Sequence, residues 1–442
     1  MGNPYQMQTG HFYEITAGRE RVLIFFCAVS VALIATLGGC TAVAPSPQVS
    51  SPATTTSTTT TTASPAPAPA QTPAPVPVLP FEEAVLSAAN ALFSGAQLPA
   101  AGSGPSARHA VVIDPLIDGA TGVQSTATRS IQSQIVALAR EKYPQFDVQE
   151  LTTENLAKAP LVLLGSLAGL NEEGKLVGTP EAYRIWLVLA DLKSGKIVAK
   201  GTARARVEGV DVTPTAYFRD SPAWTRDRII EGYLRTCGAK VGDPIDPVYL
   251  DGVLSAALIA DAIEAYDAGR YQEALDLYTS ALQTSAGDQL RVHNGIYLAN
   301  WQLGRRDEAA EAFGRIIDYG LRNDHLAVKF LFKPGSTAFW PDPEIIEPYP
   351  VWLEQIARRT AQSSSCLEIT GHTSPTGPAA LNERLSLLRA EYIRSRLESE
   401  APQLSGRMIT DGVGSRENIV GTGRDDAADA LDRRVEFKAF PC

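Results

Sequence analysis

The chain has 442 residues, enough for about two or three domains, and 44% of its residues are hydrophobic, as expected for folded cores. Its formal net charge at pH 7 is -10. Because binding to nucleic acid depends on clustered Lys and Arg side chains, this charge argues against nucleic acid as the main partner.

The first residues have the pattern of a secretory leader. Arg19 and Arg21 precede the apolar run from Val22 to Leu37, and small residues follow it. A basic lead, a short apolar core and small residues are typical of a signal peptide, and the run is shorter than the roughly 20 residues that a spanning helix needs. We predict a signal peptide over residues 1–39, with a translation start at Met7 or later as an open alternative.

The leader ends in Leu37-Gly38-Gly39-Cys40, which resembles the lipobox of bacterial lipoproteins. In that family the Cys is lipidated and becomes the new N-terminus, so the resemblance implies lipidation of Cys40. An ordinary membrane anchor with an incidental Cys is the alternative. Thr41 stands where Asp would retain a lipoprotein in the inner membrane, and the resemblance therefore implies the outer membrane, facing the periplasm.

Residues 41–80 carry no charged side chain and consist largely of Thr, Ala, Pro and Ser. This composition cannot build a core, and alternating Ala-Pro favours an extended polyproline II spacer. We therefore predict that residues 40–80 are a lipidated Cys followed by a disordered tether.

Residues 81–245 alternate helical and strand patterns. The predicted elements are helix Phe81–Gly95, strand Ala110–Leu116, helix 126–143, strand 146–151, a short helix at 152–156, strand Pro160–Leu167 and a hairpin over 183–207. This order predicts a compact α/β domain. In the order of its elements alone, it resembles a small domain of envelope lipoproteins, among them activators of peptidoglycan synthases and curli-secretion proteins. We expect this domain and the segment after it to recruit or regulate an envelope protein.

Two stretches, Ala262–Leu282 and Ile296–Ile317, repeat a helical pattern. Equivalent positions lie 35 residues apart: Gly269 and Gly304, Ala274 and Ala309, Tyr278 and Phe313. This period resembles the tetratricopeptide repeat. Two repeats are too few for an independent groove, so we predict a packed adaptor over residues 246–322, with peptide binding as the alternative.

From Leu326 the order becomes strand, helix, strand, helix, strand, strand. The strands are AVKFLF, CLEITGHT, MITDGVGS and DRRVEFKAF, and the helices are Ile345–Arg359 and a helix from Pro378 onward. An oxidising periplasm allows a disulfide among the three cysteines of the folded part. Because Cys442 ends the chain and a terminal strand needs to be fixed, we predict the pair Cys366–Cys442, with Cys237 left over; three free thiols are the alternative.

Four apolar residues of the second helix, Leu381, Leu385, Leu388 and Tyr392, recur at helical spacing and predict its buried face. Asn382 and Arg389 lie on the adjoining stripe, where we expect them to face outward above the loop that starts at Gly371.

A helix start, a loop rich in backbone N–H groups and a guanidinium favour a carboxylate ligand. A solvated Arg on a helix face is the alternative.

The stretches VKFLFKPGSTAF, GHTSPTGPAALNERLSLLRA, DGVGS and DRRVEF occur in this order and together resemble the OmpA-like peptidoglycan-binding domain. In that family the GHTD loop and the following helix clamp diaminopimelate, whose carboxylate meets the Arg and whose ammonium meets the Asp. Here the resemblance implies Arg389 for the Arg and Ser374 at the Asp position. Its further implied peptidoglycan contacts are Thr376, Asn382, Leu385 and Arg433.

Ser374 hydrogen-bonds an ammonium without a charge, which contributes about 1 kcal/mol against roughly 1.5–3 for a charged bond. We expect about tenfold weaker binding or more, unless Asp425 or Asp426 substitutes. Weaker binding of diaminopimelate, binding of a modified stem peptide, or conversion to a scaffold all stay open.

The sequence thus predicts a multidomain chain of α/β and α+β parts. In order these are a signal peptide (1–39), a tether (40–80), an α/β domain (81–245), helical repeats (246–322) and an OmpA-like mixed-sheet βαβαββ domain (323–442). We expect a binding protein of the cell wall with no cofactor. Because no HExxH, GxSxG, P-loop or paired Cys ligands occur, we expect no enzyme. The alternative is a structural subunit of an envelope secretion or adhesion machine with a degenerate wall-binding domain.

Overall fold

A computed structural model of the chain describes residues 77–99, 107–176, 180–224, 226–333, 335–421, 423, 429 and 432–442. The predicted signal peptide, Cys40 and most of the tether lie outside the described residues, as do Asp425 and Asp426. In the part of the chain that is described, no helix has the length and apolar character needed to cross a membrane.

A mixed sheet forms the first part of the fold. Its strands are β1 (Val78–Leu79), β2 (His109–Ile113), β3 (Ile117–Asp118), β4 (Phe146–Glu150), β5 (Leu161–Leu170), β6 (Ala182–Asp191) and β7 (Lys196–Ala205), and its helices are α1 (Phe81–Ser94), α2 (Thr126–Lys142) and α3 (Thr153–Leu156). The strand order is β1-β7-β6-β5-β2-β4, with β3 beside β5. Strands β2, β4 and β5 pair in parallel, whereas β5, β6 and β7 pair antiparallel.

The elements predicted in this region are present, and local interactions fix their ends. The predicted hairpin is β6 and β7, and its turn contains Gly195 with a positive φ of 68°. Ser125 and Thr128 form a capping box at the start of α2, and Thr152 caps α3 by accepting from the Asn155 N–H. Each element predicted between residues 81 and 207 is therefore present within a few residues of its expected bounds.

Three further elements follow that the sequence patterns do not predict: α4 (Ala216–Asp220), β8 (Ala223–Trp224) and α5 (Arg228–Gly238). Asp227 caps the N-terminus of helix α5, and its carboxylate accepts from the backbone N–H groups of Ile229 and Ile230 at 3.0 Å. It packs with the next helix on the sheet face opposite α1 and α2. The sheet thereby has helices on both faces, with the β6–β7 end of the α5 side left partly uncovered.

Four helices come next: α6 (Pro247–Asp267), α7 (Tyr271–Leu282), α8 (Leu290–Gln302) and α9 (Arg306–Arg322). Gly269 and Gly304 lie in the turns between the paired helices with φ of 76° and 73°, a conformation that favours glycine. Ala274 and Ala309 are fully buried, as helix pairs in close contact require. The pairing of helices expected from the repeat is present, and its assignment to the tetratricopeptide class stays a prediction.

The last part contains β9 (His325–Val328), α10 (Pro343–Ile346), α11 (Tyr349–Gln362), β10 (Ser365–His372), α12 (Ala379–Glu400), β11 (Met408–Gly414) and β12 (Val435–Pro441). The sheet order is β11-β10-β12-β9-β8, with β10 and β11 parallel and the other pairs antiparallel. The first predicted strand is shorter than expected, and the first predicted helix is divided at Pro348, whose ring fits the start of a helix better than its interior.

Strand β8 belongs to this second sheet although it lies far upstream. Ala223 pairs with Val328 and Trp224 with Ala327. The Nζ of Lys329 donates to the carbonyls of Phe218 and Arg219 at 2.9 and 3.0 Å, and burial lowers the pKa of this ammonium to about 8. The C-terminal sheet therefore includes a strand from outside residues 323–442.

The cysteine prediction is confirmed. A disulfide joins Cys366 at the start of β10 to Cys442 at the end of the chain, with a Cα–Cα distance of 5.0 Å. Cys237 is a buried free thiol in α5, and burial raises its pKa. The bridge fixes the terminal strand β12 to its neighbour.

Candidate functional site

Helix α12 turns a different face to the protein from the one its leucines predict. Leu381 and Leu388 are 56% and 40% exposed, and Leu385 and Tyr392 are half-buried. The buried residues are Asn382, Ser386, Arg389, Ala390, Ile393 and Leu397. The prediction that the leucine stripe is core and that Asn382 and Arg389 face outward is wrong.

Glycines in the sheet explain this orientation. A Cβ at Gly371 of β10 would overlap the backbone carbonyl of Ser386, and one at Gly412 of β11 would overlap the backbone of Leu387. The helix backbone therefore lies almost directly on the strands, where no leucine side chain fits. Ser386 fits, and its Oγ donates to the carbonyl of Glu383 and accepts from the N–H of Gly414 at 2.9 Å.

Asn382 fastens the loop that precedes α12. Its Nδ2 donates to the carbonyls of Ser374 at 3.3 Å and Thr376 at 3.1 Å. Gly377 allows the turn with a φ of 97°. Ser374 is buried, whereas Thr376 and Gly377 are exposed. The amide thus sets the loop conformation, and the loop tip forms the exposed rim of the site.

Arg389 lies about two helical turns farther along the same face and is only 3% exposed. Its Nε donates to the carbonyl of Ser336 and its Nη2 to the carbonyl of Lys333, both at 3.1 Å. Its Cζ lies 4.8 Å from the ring centroid of the buried Phe332, within cation–π range. The guanidinium is therefore held in one orientation by the segment that follows β9.

The structure places three of the implied residues on α12 and on the loop that precedes it. Asn382 and Arg389 are seven positions apart, or about 10 Å along the helix axis, and share its buried face. Ser374 is joined to them through Asn382. Leu385 is half-buried on the same helix.

Arg433 is half-buried on the segment that leads into β12. Next to it, Asp432 is fully buried and accepts from the N–H groups of Ile419 and Gly421, both at 2.7 Å. Asp432 thereby fixes the turn that follows β11.

Besides Asp432, a second set of charged side chains, Arg434 and Glu436, lies next to His372, which immediately precedes the 373–378 loop. The Arg434 Nε donates to Glu436 Oε1 at 2.6 Å, and the His372 Nε2 lies 3.6 Å from the same oxygen. Burial, assisted by the nearby charge of Arg434, lowers the pKa of His372 to about 4. His372 is therefore neutral at pH 7. Lys333, Ser336 and Arg434 are site components that sequence reasoning missed, since two act through backbone carbonyls that any residue has.

Among the described residues, no group of three or more His, Cys, Asp or Glu side chains is placed to hold a metal ion. Helix α12 carries a fixed cation on its buried face, the guanidinium of Arg389. Such an arrangement is suited to binding an anionic group.

Comparison with known proteins identifies this region. Residues 331–430 match the model of the OmpA family. Outer membrane protein Omp38 of Acinetobacter baumannii is 32% identical over 92 residues, which are 21% of this chain and 26% of Omp38. A CTR9 homolog of Arabidopsis thaliana is 39% identical over 61 residues, which are 14% of this chain and 6% of that protein. The chain thus spans only a small part of these relatives, and an OmpA-like domain lies at its C-terminal end, as predicted.

Solved structures match a similar share of the chain. The peptidoglycan-associated lipoprotein from Burkholderia pseudomallei is 22% identical, with 25% of this chain and 88% of that chain covered and a TM-score of 0.22. The cell wall anchor of the T6SS from Pseudomonas aeruginosa is 23% identical, with 27% and 81% covered and a TM-score of 0.22. The periplasmic domain of Helicobacter pylori MotB is 17% identical, with 26% and 73% covered and a TM-score of 0.21.

Proposed function

We propose that this protein binds peptidoglycan non-covalently through its C-terminal domain and holds the cell wall to the outer membrane. The observation that carries the proposal is that the OmpA family match includes the helix on which Asn382 holds the Ser374 loop and Arg389 is fixed about two turns farther along. The ligand is the diaminopimelate of the stem peptide, whose carboxylate is received by Arg389.

The geometry supports this role for Arg389. Two backbone carbonyls and an aromatic ring fix the guanidinium before a ligand arrives, so little side-chain entropy is lost on binding. Asn382 likewise fixes the loop whose exposed tip, at Thr376 and Gly377, faces the solvent. A site prepared in this way favours a ligand of defined shape over diffuse attraction to any anion.

The rest of the proposal follows from the sequence. Lipidation at Cys40 and the uncharged tether would place the folded part at a distance from the outer membrane. The region before residue 323 would recruit or regulate an envelope protein. In this proposal the chain binds and positions other molecules and is not an enzyme.

Co-sedimentation of the full chain with purified sacculi tests the proposal. We expect the wild type to pellet and Arg389→Ala to lose at least about tenfold in affinity, since a charged hydrogen bond contributes roughly 1.5–3 kcal/mol. Arg384→Ala is the matched control, because Arg384 is exposed on the same helix. Unchanged pelleting of Arg389→Ala, with an unchanged melting temperature, would place the clamp elsewhere.

The serine at position 374 supports a second candidate function. Without the acid of the family motif, the domain would serve as a structural subunit of an envelope machine. In that case the wild type would not pellet with sacculi in the co-sedimentation assay. It would instead cross-link to a membrane complex.

A further inference from the structure

The first sheet carries an unusual pair of like charges. In the register of β6 and β7, Arg184 lies directly opposite Arg204. Directly opposite residues of antiparallel strands point to the same face, with Cβ atoms about 5 Å apart. Like charges in this position destabilise a sheet, so the pair calls for a compensating group.

The described part of the chain supplies no such group. It contains no carboxylate within ion-pair distance of either guanidinium, and the Nε of Arg184 and of Arg204 are both buried without a hydrogen-bond partner. Burial, and then the charge of Arg204, lowers the pKa of Arg184. Two cations are thus held together in a chain whose net charge is -10.

An aromatic ring holds one of the two guanidinium groups in place. The Cζ of Arg184 lies 3.5 Å from the ring centroid of Trp186, two residues along the same strand. The Nζ of Lys200 lies 5.0 Å from that ring and donates to the carbonyls of Gly238 and Ala239. Stacking of this kind orients the guanidinium and leaves its N–H groups pointing along the ring plane.

This part of the sheet face is open. Farther along the strands, Val188, Ala190 and Ile197 are buried beneath α5 and α6. Arg184, Trp186 and Arg204 lie on the same face, where they are only half-buried. A small ligand can therefore reach the pair from solvent.

We propose that Arg184 and Arg204 together bind a phosphoryl group, with Trp186 as the platform that orients Arg184. One guanidinium already satisfies both oxygens of a carboxylate, whereas a phosphoryl group has three terminal oxygens to share between two guanidinium groups. Its two negative charges match the two cations and remove their mutual repulsion. The site lies outside residues 331–430, and its function does not depend on wall binding.

The test uses the full chain with two probes. Inorganic phosphate is titrated while tryptophan fluorescence is recorded, and vesicles of phosphatidylcholine with or without phosphatidic acid are used in flotation. We expect the double variant Arg184→Gln/Arg204→Gln to lose at least about tenfold in affinity. Lys193→Gln/Lys196→Gln, which removes the same charge at the far end of the same hairpin, should bind like the wild type.

The single variant Arg204→Gln gives an independent readout of folding. Without phosphate its melting temperature should exceed that of the wild type, since the repulsion is gone, and its rise on adding phosphate should be smaller.

The probes separate the two sources of the phosphoryl group. Binding of free phosphate supports a soluble phosphate ester, and binding only to vesicles with phosphatidic acid supports a lipid headgroup; the predicted lipid anchor affects both vesicle types equally. The proposal fails if the wild type binds neither probe, if the double variant binds as well as the wild type, or if polyglutamate displaces phosphate at a lower concentration than a phosphate ester does.

Discussion

Two helices of this protein pack on sheets in opposite ways. Helix α2 buries Ile131, Ile135 and Leu138 against strands that present their own apolar side chains. Helix α12 buries Asn382, Ser386 and Arg389 against strands that present glycines, and leaves Leu381 and Leu388 exposed. The side chains of the strands beneath a helix therefore determine which face of that helix is buried.

The largest loss of stability is predicted for a buried position of α2, and the equivalent substitution in α12 should have almost no effect. Ile135→Ala removes fully buried side-chain atoms and should lower the free energy of unfolding by about 2–5 kcal/mol. Leu381→Ala, its counterpart on α12, should change it by less than about 0.5 kcal/mol. Urea denaturation measures both, and a large loss for Leu381→Ala would show that the leucine stripe is packed after all.

The next largest loss of stability is predicted for the glycines of β10 and β11 that lie beneath α12. Gly371→Ala forces the helix backbone away from β10 and should cost about 1–3 kcal/mol. Gly252→Ala in α6 is the control, since its new Cβ meets neighbours at an ordinary 3.6 Å, and the better helix propensity of Ala should stabilise the fold by up to about 1 kcal/mol. If both substitutions were neutral, close approach of the backbone would not be what orients α12.

Acid should affect the two regions in opposite directions. Because the two contributions oppose each other in one chain, their net effect on stability should be the smallest of the three. The pKa of His372 is lowered to about 4 by burial, so the stability contributed by its neutral form is lost as pH falls from about 6.5 to 4. The pKa of Asp114, beside β2, is raised to about 6 by burial, so its contribution is present at low pH and lost as pH rises through 6. One pKa unit corresponds to about 1.4 kcal/mol.

Melting curves between those pH values test this opposition. His372→Gln should lessen the loss of stability in acid, and Asp114→Asn should deepen it. Identical pH profiles for the wild type and both variants would contradict the burial of these two groups.

Much of the fold follows from local signals in the sequence. The hairpin at Gly195, the cap at Thr152 and the helix turns at Gly269 and Gly304 were all predictable because each depends on a few neighbouring residues. Strand β8 was not, since two residues carry no periodicity and its pairing depends on a strand about a hundred positions away.

The place of the candidate site in the chain could be predicted from the sequence, but the orientation of its residues could not. The motif around Asn382 and Arg389 names the residues, yet their burial depends on glycines in two other strands. The carbonyls of Lys333 and Ser336, which hold Arg389, cannot be read from side-chain identity. Periodicity within one helix therefore carries no information about a surface built from distant segments.

The pairing of β8 with β9 bears on how the OmpA-like domain can be isolated. A fragment that begins at residue 323 would lack Ala223 and Trp224 and would expose the outer amides and carbonyls of β9. Unprotected strand edges recruit other chains, so such a fragment should self-associate and aggregate. Fragments meant to fold alone should begin upstream of α4 and retain the Lys329 contacts.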